Sequence, residues 1–235
     1  MSTQLGNLLL DALLPENRTH ILSLCEEVEL PLRMVLQEQE SRPKQAYFLT
    51  SGFASVVVNL PEGSAAEVAL VGREGVVGSL AVMGPSVPST VCFIQQAGRG
   101  YKMRFSDLQT IFRESEDVRD RVLEAAQVQA MTTSQLAACN KLHDSEARLA
   151  RWLLMVRDRT NDEFLPLTQE FLAEMLGTRR TTVALAAGSL QKAGFIKYSR
   201  GKVRILSAEN LAEAACDCYA VVKRLYDGLY QLKTE

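Results

Sequence analysis

The sequence predicts an α+β protein in which an antiparallel β-roll of the jelly-roll type precedes a mainly helical C-terminal part. Three observations support this fold class. Short apolar runs alternate with turn residues over 32–103, and no helix-length apolar repeat interrupts them. Apolar and small residues then recur at spacings of four and three over 118–139, which indicates one long helix. After that helix, residues 167–206 contain two short helical patterns followed by an alternating pattern.

The predicted β-roll domain covers residues 1–115 and includes helices at its start. The first thirty residues are predicted to be helical, with apolar side chains at Leu9, Leu13, Ile21 and Leu24. The runs AYFL, FASVVVNL, AAEVALV, VCFI and YKM follow as strands. The residues LPEGS at 60–64, between two of these runs, predict a hairpin loop.

The long helix is predicted over 116–141. Its repeat consists of side chains that would share one face and are apolar or small except for one glutamine, at Val118, Val122, Ala125, Gln129, Thr132, Leu136 and Cys139. Two interpretations fit this seam. It can pack against the β domain of its own chain, or it can pair with its copy in a homodimer, and we favour the dimerisation helix.

Charge is divided unevenly along the chain. Residues 1–140 contain 11 basic and 16 acidic side chains, whereas residues 141–205 contain 12 basic and 7 acidic ones. From Gly177 to Leu206 there are seven basic residues and no Asp or Glu. Because ordinary surfaces mix both signs, this segment indicates an anionic partner.

The basic segment lies in a region, 142–210, that is predicted to be a winged helix-turn-helix. A helix over 143–160 precedes Thr168, which is predicted to be an N-cap, and Gly177 is predicted to end the helix that Thr168 begins. A second helix to about 192 ends at Ala193-Gly194. The alternating residues around Arg200-Gly201 then predict a hairpin wing. A single C-terminal helix is expected over 211–235.

Such a motif places the start of its second helix in the DNA major groove. The residues expected to contact base edges are Arg179, Arg180, Thr181, Ala184 and Leu185. Those expected to contact phosphate are Thr168, Thr178, Thr182, Lys197, Arg200, Lys202 and Arg204. The alternative is a ligand-sensing β-roll protein whose winged helix contacts a protein partner instead of double-stranded DNA.

The chain resembles the Crp/Fnr (catabolite activator / fumarate–nitrate regulator) family of bacterial transcription factors over nearly its whole length. AYFLTSGFASVVV resembles the β-roll signature, with Gly52 at its turn, and GREGVVGSLAVMG resembles the start of the ligand cassette. LTQEFLAEMLGTRRTTVALAAGSLQKAGFI and the following KYSRGKVRIL resemble the helix-turn-helix and wing. The resemblance implies a cyclic-nucleotide-binding-like domain, a homodimer, RNA polymerase as a partner, and room for a small-molecule effector of unknown identity.

The cassette departs from the members that bind cyclic AMP. Those members have Gly-Glu-Leu, whose Glu holds the ribose hydroxyl, and Arg-Ser/Thr-Ala, whose Arg holds the cyclic phosphate. Here the triplets are Gly78-Ser79-Leu80 and Ser89-Thr90-Val91, and no Arg or Lys occurs between Arg73 and Arg99. Burying an unpaired phosphate charge costs several kcal/mol. We therefore expect a degenerate cassette that does not bind cyclic AMP in the usual way.

The recognition helix departs as well. Cyclic-AMP-type members have Arg-Glu in its first turn and a second Arg four residues after that Glu. Arg180 is kept here, whereas Thr181 replaces the Glu and Leu185 replaces the second Arg. Since Thr181 cannot accept from cytosine as an anion, we expect a different half-site on the same docking geometry.

No cofactor or metal is expected from the sequence. Only one of five cysteines lies near the N-terminus, which does not suit the family's iron–sulfur sensors, and a redox role stays open for Cys25, Cys92 and Cys139. Cys216 and Cys218 on one helix would point in nearly opposite directions, and His20 and His143 are interpreted as ordinary helix residues. Without a nucleophile–base arrangement or a phosphate loop, we expect no enzyme.

The expected localisation is the cytoplasm. The odd, scattered set of cysteines suggests reduced thiols. No apolar run approaches the roughly 20 residues of a membrane span. The N-terminal LLLDALL is broken by Asp11 and has no basic flank, so it does not predict a signal peptide.

Overall fold

The computed structural model describes residues 4–85, 87–160 and 164–231. It confirms the α+β class, with antiparallel sheets, one long helix and a helix-turn-helix. The chain divides into two compact units. The N-terminal unit comprises residues 1–56, 69–131 and 226–235, and the C-terminal unit comprises residues 57–68 and 132–225. Within the described ranges, no helix is long and apolar enough to cross a membrane.

One sheet of the β-roll has three strands, and the last of them in sequence lies at its centre. The strands are β1 (Glu26–Leu30), β3 (Gln45–Leu49) and β7 (Gly98–Arg104), in the order β1-β7-β3. The prediction of helix throughout the first thirty residues is wrong at its end, because Glu26 opposes Lys102 and begins a strand instead. An ion pair of 3.1 Å between the same two side chains lies on this pairing.

The second sheet has the order β2-β6-β4-β5. Its strands are β2 (Val35–Gln37), β4 (Phe53–Asn59), β5 (Ala65–Val71) and β6 (Val91–Gln96). The hairpin loop predicted at 60–64 is present, closed by a 2.8 Å hydrogen bond from Leu60 N to Ser64 O. Gly52, which precedes β4, has φ +70°, and a Cβ there would lie 2.3 Å from Gln96 O, so only glycine fits.

Short helices cover this unit and share its core. They are α1 (Leu8–Ala12), α2 (Pro15–Ser23), α3 (Ser79–Val82) and α4 (Phe105–Glu114). Asn7 caps α1 and is fully buried, and its amide donates to Leu49 O at 2.9 Å and to Gly75 O at 3.0 Å. The cap thereby satisfies buried backbone groups from two other segments of the unit.

Helix α5 (Glu116–Leu142) begins and ends within one residue of its predicted limits. The face that the repeat predicted as a subunit seam is turned toward the chain itself: Val118 and Val122 are fully buried in the N-terminal core. Farther along, Leu136 and Cys139 are also buried. Most of this seam therefore packs on its own chain, as the alternative interpretation states, whereas Ala125 and Gln129 are half-buried. The role of α5 in dimerisation stays a prediction.

The C-terminal unit is built around α6 (Ser145–Thr160), whose middle turns are buried on all sides. Its Trp152 indole donates to Glu67 Oε1 at 2.6 Å and makes an edge-to-face contact with Phe171 at 6.1 Å between ring centroids. The indole therefore satisfies a buried carboxylate as well as filling the core.

The other elements of this unit are short. They are β8 (Phe164–Leu165), α7 (Gln169–Met175), α8 (Arg180–Lys192), β9 (Ile196–Ser199), β10 (Lys202–Ile205), α9 (Ala208–Ala214) and α10 (Cys218–Asp227). The single helix predicted over 211–235 is instead two helices. Ala215 is extended, with φ −76° and ψ 155°, so the helix breaks before Cys216; residues 232–235 of the prediction lie outside the described ranges.

Candidate nucleic-acid interface

The helix-turn-helix is formed by α7 and α8. Thr168 caps α7, because its hydroxyl accepts from Phe171 N at 3.1 Å. Gly177 has φ +56° and Thr178 N donates to Ala173 O at 2.9 Å, so the backbone reverses within a few residues of the end of α7. This left-handed turn sets the angle at which α8 leaves.

Helix α8 has one buried and one bare face. Val183, Ala186, Ala187 and Leu190 are buried against the rest of the unit. The opposite face is exposed over Arg179, Arg180, Thr181, Leu185 and Gly188. Leu185 is 77% exposed, which is unusual for a leucine in the middle of a helix. Ala184 is half-buried at the edge between the two faces.

The wing is a hairpin of β9 and β10, with β8 as the third strand. Arg200 and Gly201 occupy its turn with φ +50° and +73°, the two consecutive left-handed residues typical of a type I′ hairpin. The strands bury Ile196, Val203 and Ile205. Side chains on the other face point to solvent, as the alternation predicts.

The residues predicted to contact phosphate lie around these two elements. Lys197, Arg200, Lys202 and Arg204 are all exposed on the wing, and Thr178 and Thr182 are half-buried at the start of α8. A Cβ on Gly201 would lie 3.4 Å from Thr168 Cγ2. The N-terminus of α7 therefore lies beside the turn of the wing.

Two of the cations have partners that the sequence does not predict. Arg180 Nε forms an exposed 3.0 Å ion pair with Glu170 Oε1 of α7. The Arg204 guanidinium lies over the Phe164 ring, 4.8 Å from its centroid. Each partner belongs to a different element from its arginine, so the packing of the elements brings them together.

Tyr198 holds the wing against the helix-turn-helix. Its hydroxyl donates to Leu167 O at 3.0 Å, and its backbone N–H donates to Gln191 Oε1 at 2.7 Å. Burial raises the pKa of the Tyr198 phenol, so the hydroxyl remains a donor at neutral pH. The sequence signal for this role was weak, since an aromatic residue in a strand is ordinary.

The residues of the degenerate cassette, in the N-terminal unit, line a common pocket. Gly78, Ser79, Leu80, Ser89 and Thr90 all border a cavity of about 240 Å³. Gly78 is left-handed at φ +101°. Among the described residues that line it, none carries a charge.

Hydrogen bonds between neutral groups link the walls of this pocket. Ser79 Oγ donates to Gln129 Oε1 at 3.3 Å. Gln37 Nε2 donates to Thr90 O at 3.4 Å. The cavity therefore offers amides, hydroxyls and apolar surface to a ligand.

Comparison with known proteins places these features in one family of folds. Residues 147–214 match the family model described as the Crp-like helix-turn-helix domain. A search of curated protein sequences found no significant match.

Solved structures match over most of the chain. A crp/fnr-family protein of Eubacterium rectale has a TM-score of 0.69 at 16% identity, covering 92% of this chain and 98% of its own. FixK2 of Bradyrhizobium japonicum has 0.69 at 13% identity, covering 82% and 98%. The c-di-GMP-responsive global regulator CLP of Xanthomonas campestris has 0.66 at 16% identity, covering 82% and 99%. The chain therefore has the Crp/Fnr fold, and the resemblance noted in the sequence is confirmed at that level.

Proposed function

We propose that this protein is a sequence-specific DNA-binding transcription regulator of the Crp/Fnr type that acts in the cytoplasm as a homodimer. The observation that carries the proposal is the set of seven exposed cations, with no carboxylate, between Gly177 and Leu206. These residues decorate the bare face of α8 and the wing of a Crp-like helix-turn-helix. Phosphate contacts by the wing would supply affinity, and contacts by the first turns of α8 would supply sequence choice.

The bare face of α8 suits a groove better than solvent. Arg179 and Arg180 can each donate two hydrogen bonds to guanine, and Ala184 and Leu185 can contact thymine methyl groups. Thr168 can still donate its hydroxyl hydrogen to a phosphate, because its cap uses the oxygen only as an acceptor.

Dimerisation would use the exposed face of α5 rather than the predicted seam. Leu123 is 41% and Met131 49% exposed. A groove of about 640 Å³ runs beside this face and is lined also by Leu80, Met83 and Ala130. A second copy of α5 would cover these apolar side chains, and the two-fold pair would present two recognition helices to a near-palindrome.

The dimer surface is tested by sedimentation of the purified chain. Leu123→Glu should convert a dimer to a monomer, because it places a charge at the centre of the contact. Leu24→Glu, at a leucine of similar exposure outside this face, is the control. A wild-type monomer at the concentrations that bind DNA would contradict the dimer.

DNA binding is tested by selecting duplexes from a random pool and measuring affinity at several salt concentrations. Lys202→Ala should weaken binding evenly across sequences and flatten the slope of log K against log salt by about 0.9 per lost phosphate contact. Arg113→Ala, at an exposed arginine of the N-terminal unit, is the control. Binding of all duplexes with equal affinity at physiological salt would contradict sequence-specific recognition.

The exposed Leu185 also favours a second candidate, in which the winged helix contacts a protein. That interaction would lack the steep salt dependence of phosphate binding, and Leu185→Ala would weaken it more than Lys202→Ala. RNA polymerase is the partner expected of a promoter-bound regulator. A co-sedimentation assay with and without promoter DNA separates the two modes of contact.

The pocket of the β-roll would respond to a small neutral or weakly polar effector rather than to cyclic AMP. Its lining contains no described cation for a phosphate, and its amides and hydroxyls can orient polar groups of a compact ligand. Thermal shift across nucleotides, lipids and redox agents would identify a stabiliser.

A further inference from the structure

Four side chains of types that bind metals meet within the C-terminal unit, on segments other than the helix-turn-helix and the wing. Cys139, His143, Cys216 and Cys218 each present one donor atom, and these atoms all lie within 4.8 Å of one another. The three thiols are buried and the imidazole is half-buried. Cys139 Sγ lies 3.4 Å from Cys216 Sγ, and Cys218 Sγ lies 3.6 Å from His143 Nδ1.

Two local structures bring the four residues together. Cys139 and His143 are one helical turn apart at the end of α5, and His143 N still donates to Cys139 O at 3.0 Å. Cys216 lies in the break between α9 and α10, and Cys218 is the first residue of α10. The expectation that both cysteines lie on one helix and point apart is therefore wrong: the break turns both thiols toward α5.

Two of the six donor-atom distances are close to those of a tetrahedral site. With Zn–S near 2.3 Å and Zn–N near 2.0 Å, donor atoms of a tetrahedral site lie about 3.5–3.8 Å apart. The two distances of 3.4 and 3.6 Å are close to that range. Small side-chain adjustments would suffice to place one ion between all four.

The surroundings also favour a negatively charged complex at this position. Arg151 is buried, its Nε has no hydrogen-bond partner among the described residues, and none of their carboxylates pairs with it. Three thiolates around a divalent ion leave one net negative charge, which would compensate this buried cation.

A glutamine side chain contacts one of the four proposed ligands. Gln135, one turn before Cys139 on α5, donates from Nε2 to Cys218 Sγ at 3.1 Å. Hydrogen bonds to ligand sulfurs orient them and tune the ion. A disulfide between Cys139 and Cys216 would leave His143, Cys218 and this contact without a role, so the geometry favours a metal ion.

We propose that Cys139, His143, Cys216 and Cys218 bind one Zn²⁺ per chain in a closed Cys₃His site. Binding releases the three thiol protons to solvent and involves no change of oxidation state. Four protein ligands leave no open position, so the site is structural rather than catalytic. It would connect the end of α5 to the α9–α10 junction, one short helix after the wing, and make the stability of the C-terminal unit depend on zinc.

The test uses the full chain, purified with a thiol-free reductant and without chelator. Elemental analysis should find one zinc per chain. After chelation, Co²⁺ titration should saturate at one equivalent, with the intense visible and thiolate charge-transfer absorption of a tetrahedral, sulfur-rich site, and Zn²⁺ should displace the cobalt. Zinc should raise the melting temperature.

Variants decide whether these four residues are responsible. His143→Gln and Cys218→Ser should abolish stoichiometric cobalt binding, whereas Gln135→Leu should weaken it roughly 10-fold to 100-fold. Cys92→Ser, a buried thiol outside the cluster, is the control and should bind normally. His143 is only half-buried, so its replacement removes a ligand without opening the core. Loss of metal binding in His143→Gln therefore does not depend on unfolding of the chain.

Three results would overturn the proposal. They are substoichiometric metal with no tetrahedral cobalt spectrum, equal loss of binding in Cys92→Ser, and a Cys139–Cys216 disulfide as the resting form of freshly isolated protein. DNA binding is measured separately, so its failure leaves the metal site untouched and the reverse also holds.

Discussion

The pocket of the N-terminal unit and the winged helix of the C-terminal unit differ in the charge of the side chains that they present. The pocket, where the residues of the degenerate cassette meet, is lined by amides, hydroxyls and apolar side chains, without a described charge. The winged helix exposes seven cations over thirty residues. By charge alone, the second region would suit a phosphate-bearing partner better than the first.

The difference shows that anion binding depends on the number of cations that share the contact. A surface that meets a polyanion can tolerate the loss of any one cation, because many contacts share the affinity. A closed pocket depends on a single cation for a single phosphate. The replacement of one position could therefore change the ligand of the pocket and leave the proposed DNA binding intact.

The largest expected effect concerns cyclic AMP. A ligand at a hundred times its dissociation constant stabilises a fold by about 2.7 kcal/mol. We expect no such stabilisation of the wild type, since a missing phosphate partner worth about 4 kcal/mol lowers affinity by ~10³-fold. Ser89→Arg should restore a measurable thermal shift, and Ser89→Gln, of similar length but neutral, should not. Stabilisation of the wild type by cyclic AMP would remove the contrast between the two regions.

The next effect concerns base reading. Arg180→Ala should lower the affinity for the selected duplex by roughly 1–3 kcal/mol per half-site and relax one base position. Arg180→Lys is the matched variant, because it keeps the charge but loses the two-pronged geometry. Repeating the duplex selection with each variant measures the change. Unchanged base preference in Arg180→Ala would reassign the reading to other side chains.

A smaller effect is expected at Thr168, which joins the stability of the motif to its binding. Thr168→Ala removes the cap of α7 and should lower the free energy of unfolding by about 1 kcal/mol. Thr168→Ser should retain both the cap and DNA binding. Urea unfolding and DNA titration of both variants separate the two roles. A stable Thr168→Ala that binds normally would show that this hydroxyl is dispensable.

The smallest effect concerns the ion pair of Arg180 with Glu170. Because both side chains are exposed, Glu170→Gln should change the free energy of unfolding by less than about 1 kcal/mol. DNA affinity should rise slightly, since the variant frees Arg180 and removes a carboxylate from a surface that meets phosphate. Glu209→Gln, on an exposed carboxylate of α9, is the control. Weaker DNA binding by Glu170→Gln would mean that Glu170 positions Arg180.

The winged helix could be predicted in detail because its signals are local. Caps, turn glycines and alternation act over a few residues, and the cap at Thr168, the turn at Gly177 and the wing turn at Arg200-Gly201 are present as predicted. The partners of its arginines could not be predicted. Glu170 and Phe164 reach Arg180 and Arg204 only through the packing of separate elements.

The seam of α5 shows the limit of a periodic pattern. A repeat of four and three establishes that one face of a helix is buried but not what buries it. Val118 and Val122 pack into the chain's own core, and the exposed Leu123 belongs to a neighbouring face.

By itself, the sequence determined the fold class, the long helix, the basic winged helix and the absence of a cation from the cassette, because each depends on residue identity and short-range spacing. Only the tertiary structure decided which face of α5 is free and that Cys139 and His143 meet Cys216 and Cys218. The physical reason is that burial and side-chain convergence depend on contacts between segments up to 79 positions apart. A single local event, the break of the helix at Ala215, was enough to turn two cysteines predicted to diverge into neighbours.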